Sequence, residues 1–189
     1  MQLKDKIAVV TGAGSGIGKA LVDKFITEGA ATVIAVDINE HNVKKTAQHP
    51  NCKAMTADVT READIIRVIE ETEANYGKID LFCSNAGILT GASEQASLDQ
   101  RQQCWDVNVM SQVLAARHLA PKMIARGDGY FLHTASAAGL LNQIGVAAYG
   151  VSKHAAVGFA EWLCTQRYKG LITMPSGRAH SYDRYRRNA

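Results

Sequence analysis

Lys6-Ile7-Ala8-Val9-Val10-Thr11-Gly12-Ala13-Gly14-Ser15-Gly16-Ile17-Gly18 decides the fold. The run from Lys6 to Thr11 has the length and β-branched content of a buried strand. The segment after the glycines has helical character through about Glu28, where Gly29 stops it. Glycine at a strand–helix junction allows a tight turn, close approach of the backbone to a pyrophosphate, and close helix–strand packing. The unpaired amides and positive dipole end of the helix then face the phosphates. A glycine run alone also fits a flexible loop; its position between strand and helix points to a dinucleotide. An ATP-binding P-loop fits poorly. Taking Gly18-Lys19 as its Gly-Lys puts Ala13 where glycine is required and Ala20 where Ser or Thr is required.

Working outward, strand and helix patterns alternate. Ala31 to Asp37 is a second apolar strand, and a helix from about Glu40 ends before Pro50. Cys52 to Ala57 is a weaker third strand. Thr60 is the expected N-cap of a helix carrying Ile65, Ile66, Val68 and Ile69. Lys78 to Ser84 is the fourth strand. A long helix is expected over Leu98 to Ala125, with Pro121 kinking or restarting its last turns. Gly129 to Ser136 is the fifth strand, and a final helix runs to about Gln166. The alternation implies an α/β fold, a Rossmann-like doubly wound parallel sheet in a single domain. That domain is assigned to residues 1–166, and residues 167–189 to a divergent basic tail.

At 189 residues and 47% hydrophobic content, the chain is long enough to bury roughly 70% of its unfolded surface. No apolar run approaches about 18 residues and no signal-like stretch follows Met1, so a cytoplasmic protein without a membrane partner is expected. Cys52, Cys83, Cys104 and Cys164 lie far apart, which suits reduced thiols and offers no metal site. The net charge of +3 belongs to the last twelve residues, where Arg178, Arg184, Arg186 and Arg187 face Asp183 alone. The rest is formally neutral, so nucleic acid is not an expected partner.

Asp37 closes the second strand about twenty residues beyond the glycine loop, where a carboxylate accepts hydrogen bonds from adenosine ribose hydroxyls. A 2′-phosphate there would meet like charge, and neither Ser15 nor Ile38 and Asn39 supplies a cation, so NAD is favoured over NADP. Tyr149 and Lys153 stand four apart, which stacks phenol and ammonium on one helix face. A cation beside a phenol favours its ionised form, so the pair reads as general acid/base equipment. Ser136 lies thirteen residues before the tyrosine. Taken singly, these residues also fit a strand-end hydroxyl and an exposed surface pair.

Together these residues resemble the short-chain dehydrogenase/reductase family over roughly residues 3–163. The Thr-Gly-x-x-x-Gly-x-Gly loop matches Thr11 to Gly18, with Gly12, Ser15, Gly16, Ile17 and Gly18 at the cofactor. The acidic residue near the adenine matches Asp58, followed by Val59, and Asn-Ala-Gly matches Asn85-Ala86-Gly87. The active-site asparagine maps to Asn108, the serine to Ser136, and Tyr-x-x-x-Lys to Tyr149 and Lys153. The resemblance implies an NAD-dependent oxidoreductase that moves a hydride between nicotinamide and a small secondary alcohol or ketone. Tyr149 would exchange the proton, Lys153 would tune the phenol and hold ribose hydroxyls, and Ser136 would bind the substrate oxygen. Asn108 would hold a water linking Lys153 to solvent. It also implies a homo-oligomer through the long helix and the Tyr149–Lys153 helix.

Beyond about Leu163 the resemblance ends. The family continues into a sixth strand, a Pro-Gly turn, a substrate cover and further elements. Here Leu171 to Met174 is expected to form a brief strand, and Pro175 to Gly177 an echo of the turn. The expectation is a truncated or frame-altered member that lacks the family's C-terminal elements and leaves the fifth strand at an open edge. The alternative function is therefore a weakly active or inactive dinucleotide-binding module. Leu140, Leu141 and Ile144 are expected to wall an apolar pocket, with surface exposure as the other reading. A role for the arginine-rich tail with acidic partners is weaker than a solvated end.

Overall fold

The computed structural model describes residues 1–90, 93–141, 144–165 and 172–173. Six strands form one parallel sheet in the order β3-β2-β1-β4-β5-β6. They are β1 (Ile7–Thr11), β2 (Thr32–Asp37), β3 (Cys52–Thr56), β4 (Leu81–Ser84), β5 (Tyr130–His133) and β6 (Ile172–Thr173). Helices α1 (Gly16–Thr27), α2 (Glu40–Thr46), α3 (Glu62–Tyr76), α4 (Leu98–Trp105), α5 (Ser111–Arg126) and α6 (Ala147–Thr165) complete the crossovers. The sheet is the expected doubly wound one, and strand order reverses between β1 and β4. There the crossovers leave in opposite directions and open a crevice at the strands' C-terminal ends.

Near-continuous apolar strands are what a sheet covered on both faces requires. Val9, Ile34, Phe82 and Phe131 pack on the α3, α5 and α6 side. Ala8, Val10, Val33 and Ala35 pack on the α1 and α2 side. Register pairs Val9 with Ile34 and with Phe82, and Phe82 with Phe131, so large side chains line up across four strands.

Four expectations need correction. The α3 N-cap is Arg61 rather than Thr60, because Asp58 Oδ1 accepts the Thr60 hydroxyl at 2.7 Å and the Thr60 amide at 3.0 Å. The long helix is α4, a π turn at Asp106–Met110, and α5. Pro121 lies inside the continuous α5, so the last turns do not restart there. The edge of β5 is partly closed, since Phe131 pairs with Ile172 and Leu132 with Thr173. That short β6 falls within the predicted Leu171–Met174. The expected end of α6 at Gln166, the Pro175–Gly177 turn and the basic tail lie outside the described residues. Cys52, Cys83, Cys104 and Cys164 are all unpaired. Burial raises the Cys52 and Cys83 thiols to about 11 and about 12, which keeps them protonated and unreactive. Among the described residues, no helix is long and apolar enough to cross a membrane.

Candidate active site

The glycine loop is anchored before it reaches the crevice. The Ala13 amide donates to the Val36 carbonyl at 2.9 Å, and the Thr46 hydroxyl donates to the Ala13 carbonyl at 2.9 Å. Gly12 turns with φ +65°, a left-handed conformation that glycine adopts without strain. At Gly18 the requirement is space, since a β-carbon would lie 2.1 Å from the Gly12 carbonyl oxygen. Ser15 is the N-cap of α1 but makes no capping hydrogen bond with its side chain, so the first turn presents amides and a hydroxyl together. Gly12, Ser15, Gly16, Ile17 and Gly18 line a crevice of about 490 Å³. Asp37 lines it too, its carboxylate accepting from the Gly14 amide at 2.8 Å and the Asn39 amide at 2.9 Å.

The floor follows from β4. Asn85, Ala86 and Gly87 line the crevice, and two of them are bolted to β1. The Thr11 hydroxyl accepts from the Asn85 and Ala86 amides at 3.0 and 3.1 Å, and Asn85 Nδ2 donates to the Thr11 carbonyl at 3.0 Å. Thr134 ties this floor to the end of β5, donating its hydroxyl proton to Asn85 Oδ1 at 2.9 Å.

Ser136, Tyr149 and Lys153 line the far end of the same crevice. Ser136 Oγ accepts from the Ala138 amide at 3.2 Å, which leaves its own proton for a further acceptor. The Lys153 ammonium lies 5.8 Å from the centroid of the Tyr149 ring and donates to the Thr134 carbonyl at 3.1 Å. Burial holds this ammonium below the ordinary lysine range, with neighbouring Cys104 opposing the shift. Among the described residues no carboxylate pairs with it.

Asn108 sits one layer behind, wholly buried in the π turn. The Ser111 amide reaches back to the Asp106 carbonyl, and π turns of this kind are often found at functional sites. Asn108 Oδ1 accepts from the Ile88 amide at 2.8 Å, and Nδ2 donates to the Ile88 carbonyl at 2.9 Å. The same Nδ2 donates to Ser152 Oγ at 2.9 Å, and Ser152 donates to the Tyr149 carbonyl at 2.8 Å. The Asn108 carbonyl accepts from Gln112 Nε2 at 2.9 Å. Asn108 thus clamps the segment after Gly87 to Ser152 of α6, and through it to the Tyr149 carbonyl.

Asp58 and Val59 do not line this crevice. Asp58 faces a second hollow of about 350 Å³ with Ile38, Thr60, Asp99 and Asp106, while Val59 is in the core. Neighbours Asp37 and Ile38 divide the two hollows. Leu140, Leu141 and Ile144 line neither hollow. They are 61, 69 and 100% exposed, and the crevice takes its apolar lining from Ile17, Ile88 and Leu89 instead. Sequence reasoning passed over Thr134, Ser152 and Gly14. Gly14 stood within the quoted loop, and Ser152 precedes the lysine of the quoted pair.

Residues 6–174 match the model of the short chain dehydrogenase family. The chain is similar to a 1-deoxy-11-beta-hydroxypentalenate dehydrogenase of Streptomyces exfoliatus, 36% identical over 171 residues that cover 86% of this chain and 62% of that protein. It is also similar to a CLA biosynthesis dehydrogenase/reductase of Lactiplantibacillus plantarum, 37% identical over 165 residues, 84% of this chain and 57% of that one. Among solved structures, a short chain dehydrogenase/reductase from Burkholderia phymatum in complex with NAD is similar at a TM-score of 0.87 and 28% identity, covering 92% of this chain and 66% of that chain. The chain therefore spans about three fifths of the length of the relatives it matches.

Proposed function

The chain belongs to the short-chain dehydrogenase/reductase family, and from that premise we propose an NAD-dependent oxidoreductase acting on a small secondary alcohol or ketone. The observation that carries the reading is the single crevice joining the glycine loop and Asp37 to Ser136, Tyr149 and Lys153. Its cradle suits a dinucleotide. Helix α1 offers uncapped first-turn amides, and a β-carbon at Gly16 would meet nothing within 4 Å. The loop and Asn85–Gly87 would hold the cofactor along the crevice, with Asp37 on the adenosine ribose. Asp58 would border the adenine from the neighbouring hollow, with Val59 packed in the core behind it. Bound nicotinamide supplies or accepts the hydride.

The chain's own residues then handle the proton and the oxygen. Ser136 donates its free hydroxyl proton to the substrate oxygen and stabilises charge developing there. Tyr149 gives or takes the proton of the carbonyl/alcohol pair as general acid or base. Lys153, held by the Thr134 carbonyl, places its ammonium 5.8 Å from the centre of that phenol ring. Asn108 acts as a positioning residue through Ile88 and Ser152. The test is an NADH titration followed by turnover on a panel of alcohols and ketones. Binding with turnover that disappears in Tyr149→Phe supports the reading, and wild-type rates in that variant reject it.

A second reading is a dinucleotide-binding module without turnover. It is favoured by the exposure of Leu140, Leu141 and Ile144 between Ser136 and Tyr149, which leaves that end of the crevice without an apolar wall from this segment. NADH binding with no turnover across the panel would select it.

A further inference from the structure

We infer that Gly14 is a specificity-determining position for the adenosine end of the cofactor, acting by holding the Asp37 carboxylate in the crevice wall. The inference deepens the proposed function and rests on its assignment of Asp37 to the ribose. Both Asp37 oxygens are fixed by backbone amides, Oδ2 by Gly14 at 2.8 Å and Oδ1 by Asn39 at 2.9 Å. A carboxylate has about four acceptor sites, so each oxygen keeps capacity for a ribose hydroxyl.

The hold works only for glycine. A β-carbon at position 14 would lie 2.8 Å from Asp37 Cγ, 2.9 Å from Asp37 Oδ2 and 2.9 Å from Asn42 Cβ. Backbone conformation is not the reason, because the left-handed φ values of this loop belong to Gly12 and Gly16. Nor can the loop retreat, since its Ala13 amide is fixed by Val36 and its Ala13 carbonyl by Thr46. Helix α2, capped by Asn39 Oδ1 on the Asn42 amide, is tied to the same loop through Thr46. The flexible group among these neighbours is the carboxylate, whereas Asn42 Cβ yields only if α2 shifts. A side chain at position 14 therefore pushes Asp37 off the Gly14 amide and presses on α2 as well. The site then loses an acceptor for the ribose and the negative charge that disfavours a 2′-phosphate, so the two coenzymes become less distinct.

The test is fluorescence titration of NADH and NADPH on the full chain, in wild type, Gly14→Ala, Asp37→Ala and the double variant. The expected result is a wild-type preference for NADH that drops about tenfold in Gly14→Ala. It should drop comparably in Asp37→Ala and no further in the double variant, because the two substitutions remove one device. An unchanged preference in Gly14→Ala overturns the inference, as does an independent further drop in the double variant. Wild type that binds neither coenzyme, or both equally, instead removes the reading of Asp37 on which it stands. A measurement without cofactor is hydrogen exchange at the Gly14 amide, expected to accelerate in Asp37→Ala. No acceleration there would also overturn the inference, whether or not Gly14→Ala folds.

Discussion

At the glycine-loop end of the crevice, the walls are backbone held by backbone and by short polar side chains. Ala13 is tied to β2, Asp37 to two amides, and Asn85 to Thr11. At the Tyr149 end the layer beneath the crevice is less settled. Ser84 and His133 are register partners on β4 and β5, one residue before Asn85 and Thr134. Ser84 Oγ, both ring nitrogens of His133 and Gln112 Oε1 are buried without a hydrogen-bond partner among the described residues. One end is thus specified by where the backbone must pass, and the other by side-chain choices that tolerate alternatives. Changes at the first should act on cofactor binding and folding together. Those at the second should separate chemistry from binding.

Tyr149→Phe should show that separation most strongly. Removing a general acid/base typically costs about 10²- to 10⁴-fold in rate, while the NADH affinity should hold within about twofold, since the ring and its helix remain. Steady-state kinetics and titration on one sample check both. Loss of NADH binding in step with the rate would erase the contrast between the two ends.

Gly18→Ala tests the opposite end. Its β-carbon would approach the Gly12 carbonyl oxygen at 2.1 Å and Asn85 Nδ2 at 2.6 Å, so α1 must move off the loop. A destabilisation of about 3 kcal/mol, the upper part of the usual overpacking range, is expected, with loss of NADH binding. Denaturant unfolding and titration measure the two together. Stability near wild type would mean that the loop yields more easily than its anchors suggest.

His133 probes the unsettled layer. It is buried between Phe131, stacked at 6.0 Å, and Phe159, edge-on at 6.2 Å, and burial lowers its pKa from 6.5 to about 4. Between those two values the unfolded chain carries a proton that the folded chain does not. Stability should fall as pH drops through that window, by about 3 kcal/mol in total. His133→Phe removes both unpartnered nitrogens and should flatten that acid limb while leaving neutral stability equal or higher. Urea melts at pH 4, 5, 6 and 7 decide it. An acid limb unchanged in the variant would assign the effect to other groups.

The same division explains what the sequence made legible. Apolar runs such as Ala8–Val10 and Val33–Val36 announce strands buried on both faces, and glycines announce where backbone must turn or approach. The fold and the course of the glycine loop were therefore readable. The π turn was not, because a short i→i+5 segment leaves the apolar spacing within each flanking helix unchanged. Asp58 was read toward the cofactor crevice, yet its carboxylate is taken by Thr60, a local turn that competes with capping. Leu140, Leu141 and Ile144 misled for a different reason: hydrophobicity without periodicity does not say which way a loop faces.

The smallest effect is expected at Gly158, a glycine with none of the constraints of the loop. It lies in α6, exposed, and a β-carbon there would meet nothing within 4 Å. Glycine within a helix costs roughly 0.5–1 kcal/mol relative to alanine, so Gly158→Ala should stabilise by about that much and leave turnover untouched. Val151 and Trp162, at 63 and 53% exposed, lie at spacings that put them on the same side of the helix. The family resemblance implicates the Tyr149–Lys153 helix in self-association. If Gly158→Ala instead destabilises, and does so in proportion to how strongly melting depends on protein concentration, another copy of the chain needs that space. Gly158 would then be required by packing as Gly18 is, with the crowding atom on a neighbouring subunit.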